Sequence, residues 1–534
     1  MPTEPLAPPP MPSAVGRQMM LSKGAGNAAA DLGRMDGEVD DMLSPVQSAR
    51  PPFNTETYDH ISDNPFMSVA NNPLSTFSID VDTAAYANMR RWLRDGALPP
   101  KDAVRIEELV NYFPYAYAGP TDAAPFATHV EVASAPWQPS HRLVRVALKG
   151  KVLPRRARPH SNFVFLIDVS GSMEDSNKLP LLKQSLRLLT QQLTADDHVA
   201  MVVYAGASGT VLPSTPGNQK GKILAALDHL EAGGSTNGGE GIQLAYRTAL
   251  NHFIQDGNNR VILATDGDFN VGVTNNGDLV RLIEAKAKSG VFLSVLGFGE
   301  GNLNDAGMEK LADKGNGNYA YIDSLNEARK VLVKEMHATL NTIAKDVKIQ
   351  VEFNPTKVAA YRLIGYENRA LRNEDFNDDT KDAGEIGEGH TVTAFYDVVP
   401  VGVPLALPGV DPLKYQTPPV DPTAATTNSG ELLTVKLRYK EPAGSSSQLI
   451  DVAVTDGGQL FEQATEDFRF AASVAGFGML LRESPHLGTL TFDAVAQLAA
   501  RAKGNDPDGY RQEFLQLVTA AKRLTMNTDA PKGQ

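Results

Sequence analysis

The sequence predicts an α/β protein: a doubly wound, mostly parallel sheet inserted in or flanked by a β-sandwich, with a small α-rich segment before it and helices after it. Three observations carry the prediction. From Asn162 to about Ala344, short apolar runs alternate six times with stretches of helical period, the pattern of strands joined by crossover helices. Past Ala344 the pattern changes to five runs of strand-like alternation. The chain is 534 residues long, more than one hydrophobic core usually serves.

Residues 1–60 are rich in Pro, Ala, Gly and Asp without either period. Such a segment cannot bury enough apolar surface to offset its ordering entropy, so a disordered tether is expected. Residues 64–118 read as the α-rich module. Ser75–Asp80 alternates like a strand, and Thr83–Arg94 carries Tyr86, Met89, Trp92 and Leu93 at helical spacing, with Asp82 or Thr83 as its N-cap. Pro99 and Pro100 open a second helix running through Tyr112. Within residues 128–150, two alternating runs flank a turn containing Pro136, Trp137 and Pro139, and they are expected to pair and complete the later sandwich.

Residues 161–345 form the α/β domain, with strands at Asn162–Ile167, His198–Tyr204, Thr210–Ser214, Arg260–Thr265, Val291–Gly297 and Asn318–Ile322. The third is short and polar, which suits an antiparallel edge. Helices fill the gaps, the last spanning Leu325–Ile343. Residues 346–460 supply the sandwich strands Val347–Phe353, Val358–Gly365, His390–Val398, Leu432–Tyr439 and Leu449–Thr455. Between them lie an acidic loop, Asn373–Glu388, and a proline-rich loop, Pro400–Gly430. The acidic loop spaces Asp375, Asn377 and Asp379 like a calcium loop but has Thr380 and Ile386 where Gly and Glu are needed, so a solvated loop is expected. Residues 465–524 read as three helices.

The candidate site is FVFLIDVSGSM, Phe163–Met173. Its apolar run suits a strand buried on both faces, and Asp168, Ser170 and Ser172 then stand at alternate positions, so three oxygen-bearing side chains can point one way. That is half a cage for a hard cation, since Mg²⁺ takes six oxygen ligands and keeps several waters. Two later loops can close on the same point: the glycine-rich GGSTNGGEG, Gly233–Gly241, with Thr236, and the end of RVILAT, where Asp266 stands. Asp168 and Asp266 come together if the first and fourth strands lie side by side at the switch point of the sheet. The competing reading of Asp168–Ser172 is a turn capping the next helix.

D-x-S-x-S, a Thr in a glycine-rich loop, and T-D-G after a buried strand together resemble the metal-ion-dependent adhesion site of a von Willebrand factor A domain, with Asp168, Ser170, Ser172, Thr236 and Asp266 at its five positions. The resemblance implies a Mg²⁺ site, with Mn²⁺ or Ca²⁺ as alternatives, that binds a protein ligand through an Asp or Glu carboxylate. It also implies that shifts of the last helix accompany changes at the metal loops. NPLSTFSIDVDTAAYANMRRWL and the segment after the domain extend the resemblance, over about residues 64–524, to a bacterial YfbK-like family, some members of which carry a lipoprotein signal.

Composition bounds the alternatives. A net charge of −13 argues against nucleic acid as a partner. No apolar run is long enough to span a bilayer. With no cysteine, disulfides and thiolate chemistry are excluded. MPTEPLAPPPMPSAVGRQMM lacks a charged leader followed by an apolar core, so the expectation is either a cytoplasmic protein or an envelope or periplasmic one whose export signal has been removed. GNQKGK (217–222) and GFGEG (297–301) miss the phosphate-loop and dinucleotide spacings, and no zinc or hydrolase motif occurs. Asp268 reads as a rim charge and Glu240 as a helix-start acid. The expectation is a non-enzymatic, cation-dependent binding protein; the alternatives are a cytoplasmic adaptor or assembly factor for an ATPase or metalloenzyme, and a phosphate-ester hydrolase that lacks a placed base.

Overall fold

The computed structural model describes residues 55–79, 82–154, 158–234, 238–267, 276–405, 430–442 and 444–528. The expected tether falls outside them up to residue 54. Residues 55–57 instead run along a later loop, where the N–H of Thr55 donates to the Gly301 carbonyl (2.8 Å) and that of Thr57 to the Leu303 carbonyl (3.0 Å).

The first elements are β1 (Met67–Ser68), β2 (Leu74–Ser78), α1 (Ala84–Arg94), α2 (Ile106–Asn111), β3 (Phe126–Ser134) and β4 (Arg142–Gly150). The expected continuous helix from Pro99 to Tyr112 is broken: a single tight turn at Lys101–Ala103 is followed by extended Val104 and Arg105 before α2 begins. The break turns Arg105 toward buried acids, where it pairs with Glu108 and Asp305. The start of α1 is held by a side chain from outside the helix. Thr83 makes no side-chain cap bond and Asp82 accepts from the Tyr319 N–H (2.9 Å), while the N–H of Ala85 is taken by Glu108 from α2 (2.7 Å). The carboxylate that satisfies this helix start therefore comes from another helix.

The α/β part follows as β5 (Ser161–Asp168), α3 (Leu179–Gln192), β6 (His198–Tyr204), β7 (Ser208–Pro216), α4 (Lys220–Asp228), α5 (Gly238–Asn251), β8 (Asn258–Thr265), α6 (Asn276–Ala287), β9 (Phe292–Phe298), α7 (Asp305–Lys314), β10 (Tyr319–Ile322), α8 (Leu325–Arg329) and α9 (Met336–Leu340). The sheet order is β10-β9-β8-β5-β6-β7, parallel except for β7, which pairs antiparallel with β6 at the edge. β5 is fully buried because both faces are covered: Phe163, Phe165 and Ile167 enter one hydrophobic cluster, Val164 and Leu166 the other. β5 and β8 are neighbours, which brings Asp168 and Asp266 to the same carboxyl edge.

The last helix of this part is not the single run to Ile343 that the sequence suggested. A wide π turn at Lys330–Lys334 separates α8 from α9, and Thr342 already belongs to a strand. Lys330 accounts for the irregularity, since its ammonium lies 2.7 Å from Glu335 and 4.3 Å from the centre of the Tyr112 ring.

The remaining elements are β11 (Thr342–Phe353), β12 (Val358–Ile364), β13 (Gly384–Gly387), β14 (Thr391–Pro400), β15 (Glu431–Lys440), β16 (Gln448–Thr455), α10 (Glu466–Leu481), α11 (Phe492–Arg501) and α12 (Tyr510–Thr528). Two antiparallel sheets form, ordered β1-β12-β14-β4-β3 and β13-β11-β15-β16, with β2 pairing β11. Residues of both sheets share one hydrophobic cluster, so β3 and β4 join the later strands, as do β1 and β2 from the segment expected to be α-rich. Part of the expected solvated loop is the unanticipated strand β13. It lies so close to α9 that a Cβ on Gly387 would sit 1.6 Å from the Ala338 carbonyl oxygen. Asp375 in the same loop is bonded to Arg372 at 2.6 Å. Twelve of the sixteen residues of α10 are buried, which makes it the centre of a helical cluster with α1, α2, α11 and α12.

Between α2, α7 and the turn after β12, Glu309 lies 3.4 Å from both Arg105 and Arg369, and burial pushes its carboxyl up to about 7 against the pull of those two arginines. A folded-state pKa above the unfolded value of about 4.5 gives stability that is complete below that value and lost as pH rises through 7. Glu309→Gln is therefore expected to raise stability at pH 8 by up to ~3 kcal/mol and to give no gain at pH 4. Thermal melts of both proteins across that range check it; a gain that does not depend on pH refutes it.

Candidate metal centre

The parallel sheet delivers two carboxylates to one point. Asp168 ends β5 and Asp266 follows β8, and neither has exposed surface. The chain after Asp168 turns at once: the N–H of Ser170 donates to Asp168 Oδ1 (2.9 Å), and Ser170 Oγ lies 3.0 Å from Ser172 Oγ. Ser170 is buried and Ser172 exposed, so the hydroxyl pair leads from the carboxylates out to solvent. The glycine-rich loop is tied to this turn by two backbone bonds, Gly233 N–H to the Val169 carbonyl (2.7 Å) and Gly171 N–H to the Gly234 carbonyl (3.1 Å). Thr236 and Asp268 lie outside the described residues. Glu240 stands exposed in the first turn of α5.

Several groups that sequence reasoning passed over complete the site. Tyr204, at the end of β6, donates its hydroxyl to Asp168 Oδ2 (3.1 Å), and Thr265 Oγ1 donates to the same oxygen (3.2 Å). Thr265 was visible as the first letter of T-D-G. Tyr204 could be found only by knowing that β6 lies beside β5 in register, which pairs it with Asp168. Lys178, the residue before α3, places Nζ 3.0 Å from Asp266 Oδ2 and 3.4 Å from Asn302 Oδ1.

The two carboxylates differ in electrostatics. Burial pushes Asp168 above the usual carboxylate range, opposed by the Ser170 hydrogen bonds and reinforced by the neighbouring charge of Asp266. Burial acts on Asp266 in the same sense but is outweighed by hydrogen bonds from Asn302, Lys178 and Ser172 and by the lysine charge, so its pKa is lowered.

The donor set fits a hard divalent cation. Carboxylate and hydroxyl oxygens converge without a soft ligand among them, and a lysine ammonium lies against one carboxylate as a stand-in cation. The reading of Asp168–Ser172 as no more than a helix-capping turn does not account for the arrangement, because no side-chain cap bond is made at the start of α3.

Fold and site together define a von Willebrand factor type A domain, and residues 162–335 match that family. Residues 52–145 match a family described as von Willebrand factor, and residues 338–524 one described as uncharacterized protein YfbK, C-terminal. The uncharacterized protein YfbK of Escherichia coli (strain K12) is 46% identical over 478 residues, covering 88% of this chain and 82% of that protein. The chain belongs to the YfbK family. A second relative, the uncharacterized protein sll0103 of Synechocystis sp., is 27% identical over 35% of this chain and 44% of its own length. Among solved structures, a von Willebrand factor type A protein from Catenulispora acidiphila is 16% identical, with a TM-score of 0.38 over 73% of this chain and 89% of that one. Von Willebrand A domains typically mediate protein–protein interaction and commonly bind a divalent metal. No helix among the described residues is long and apolar enough to cross a membrane.

Proposed function

We propose that the chain is a divalent-cation-dependent, non-enzymatic protein-binding protein that captures an acidic side chain of a partner at Asp168, Ser170, Ser172, Thr236 and Asp266. The observation that supports this reading is the convergence of Asp168, Ser170, Ser172 and Asp266 at one carboxyl edge of the sheet, open to solvent at Ser172. In this reading the hydroxyls of Ser170, Ser172 and Thr236 contact Mg²⁺, or Mn²⁺ or Ca²⁺ in its place, while the two carboxylates orient its waters. The bound ion makes the site electropositive, and a partner's Asp or Glu is the chemistry that matches it. A protein partner, not nucleic acid, agrees with the net charge of −13.

The test is a crosslinking pull-down from the source organism in Mg²⁺, in chelator, and with Asp168→Ala combined with Ser170→Ala. A partner captured only by the intact site in Mg²⁺ is the expected result. The same partners in all three arms would place binding elsewhere on the chain.

A further inference from the structure

We propose that Lys178 is the resident cation of the metal-free site and the residue that keeps its divalent-ion affinity low; the inference rests on the metal-dependent reading above. Its side chain is 7% exposed, and its ammonium is held between Asp266 Oδ2 and Asn302 Oδ1, with an exposed carboxylate, Asp175, 4.0 Å away. The placement is built by the fold. Gly299, with φ of +75°, lies under the lysine stem, and a Cβ there would come within 2.4 Å of Lys178 Cε and 2.5 Å of Cγ. A side chain at residue 299 would displace the ammonium.

The position of Lys178 also needs an account. It stands immediately before the first residue of α3, where the helix dipole disfavours positive charge, and the first turn of α3 contains no acidic residue to offset it. Asp266, contributed by a distant strand, is the compensating charge. Lys178 follows the turn carrying Ser170 and Ser172 by a few residues, and its own N–H closes the intervening loop by donating to the Asp175 carbonyl (2.9 Å). The hydroxyl turn and the ammonium are therefore fixed on the same segment.

Two consequences follow from charge. Asp168 and Asp266 present a formal −2, which Lys178 reduces to −1, so a divalent ion meets a less negative site than the carboxylates alone would offer. With the ion in place the set sums to +1 when Lys178 is kept and to zero without it. The lysine thus weakens capture of the ion and strengthens the pull of the loaded site on an incoming carboxylate. Ion and acidic partner are expected to bind cooperatively, each favouring the other by the same factor.

The experiment uses Mn²⁺ and Mg²⁺ alone as probes, titrated calorimetrically at pH 7.5 into the full chain, into Lys178→Met and into Lys178→Gln, with Asp266→Ala as the site control. Both lysine variants are expected to bind the ion about tenfold more tightly than wild type. They are also expected to melt at lower temperature without it and to show the larger ion-induced rise in melting temperature. Loss of structure alone cannot tighten ion binding, and Lys178→Gln keeps a hydrogen bond to Asp266 should the methionine variant not fold. Equal or weaker binding in both variants, with wild-type binding still abolished by Asp266→Ala, overturns the role of Lys178 and leaves the metal site standing. If neither wild type nor variants take up ion at millimolar concentration, the metal reading and this inference fail together.

Discussion

Arg90→Met is expected to cost about 3–5 kcal/mol of stability, the penalty of removing one partner from a buried ion pair. Arg90 is 3% exposed and uses its donors fully. Nε reaches Asp323 Oδ2 (2.7 Å), Nη1 reaches the Tyr112 hydroxyl (2.8 Å) and Glu513 (3.1 Å), and Nη2 reaches Asp323 Oδ1 (2.5 Å) and Glu327 (2.7 Å). Asp323 and Glu327 are 5% and 1% exposed, so methionine would leave two buried carboxylates without their main counter-charge, held by the Ser324 and Tyr112 hydroxyls and by the more distant Arg94. Lysine in place of Arg90 should recover only part of the loss, because one ammonium cannot span acceptors on α1's three neighbours. Chemical and thermal denaturation measure both. A loss below about 1 kcal/mol would mean that the network makes little net contribution.

The location of Arg90 gives that number a functional meaning. α1 precedes the α/β part in sequence and α12 follows it, yet Arg90 of α1 pairs both with Asp323 and Glu327 at the start of the broken last helix and with Glu513 of α12. Lys330 stacks on Tyr112, and Lys334 pairs with Asp508 before α12. The segment whose shifts the family resemblance links to the metal loops is gripped here by helices that precede and follow the α/β part. Any shift in it must break these pairs or carry α1 and α12 along.

What was legible in the sequence follows from the range of the forces involved. Phe163–Ile167 read as a strand covered on both sides, and it is, because alternate residues of the run enter the hydrophobic clusters on opposite faces of the sheet. Four of the five proposed ligand positions lie among the described residues and come together, since the carboxyl ends of adjacent parallel strands must. The π turn at Lys330–Lys334, the break at Val104–Arg105 and strand β13 were not legible. Each is set by a distant partner: Tyr112 for the first, Asp305 for the second, β11 for the third. Lys178 escaped for the same reason, as its meaning depends on Gly299 and Asp266 from other strands.

Asp168→Asn is expected to separate function from stability at this site. Asparagine keeps the shape and the contacts. Its carbonyl accepts from the Ser170 N–H as Oδ1 does, and the hydroxyls of Tyr204 and Thr265, which donate to Oδ2, can rotate to accept from an amide nitrogen. What it removes is a buried negative charge beside that of Asp266, a charge whose pKa is raised in the folded state. Stability contributed by such a group is present below its unfolded value near 3.8 and lost as pH rises, so the neutral variant should melt higher than wild type at pH 8, measured without divalent ion, and no higher at pH 3. The same substitution removes one of two carboxylates available to a divalent ion, and ion binding should fall by ~10–100-fold, with the ion-induced rise in melting temperature reduced accordingly. A carboxylate that costs stability at neutral pH yet is required for ion binding belongs to a functional site, since a purely structural acid in this position would be destabilised by its removal. If Asp168→Asn melts lower at pH 8 and still takes up ion as wild type does, Asp168 is a structural anchor for the turn, and the ion site must be rebuilt around Asp266.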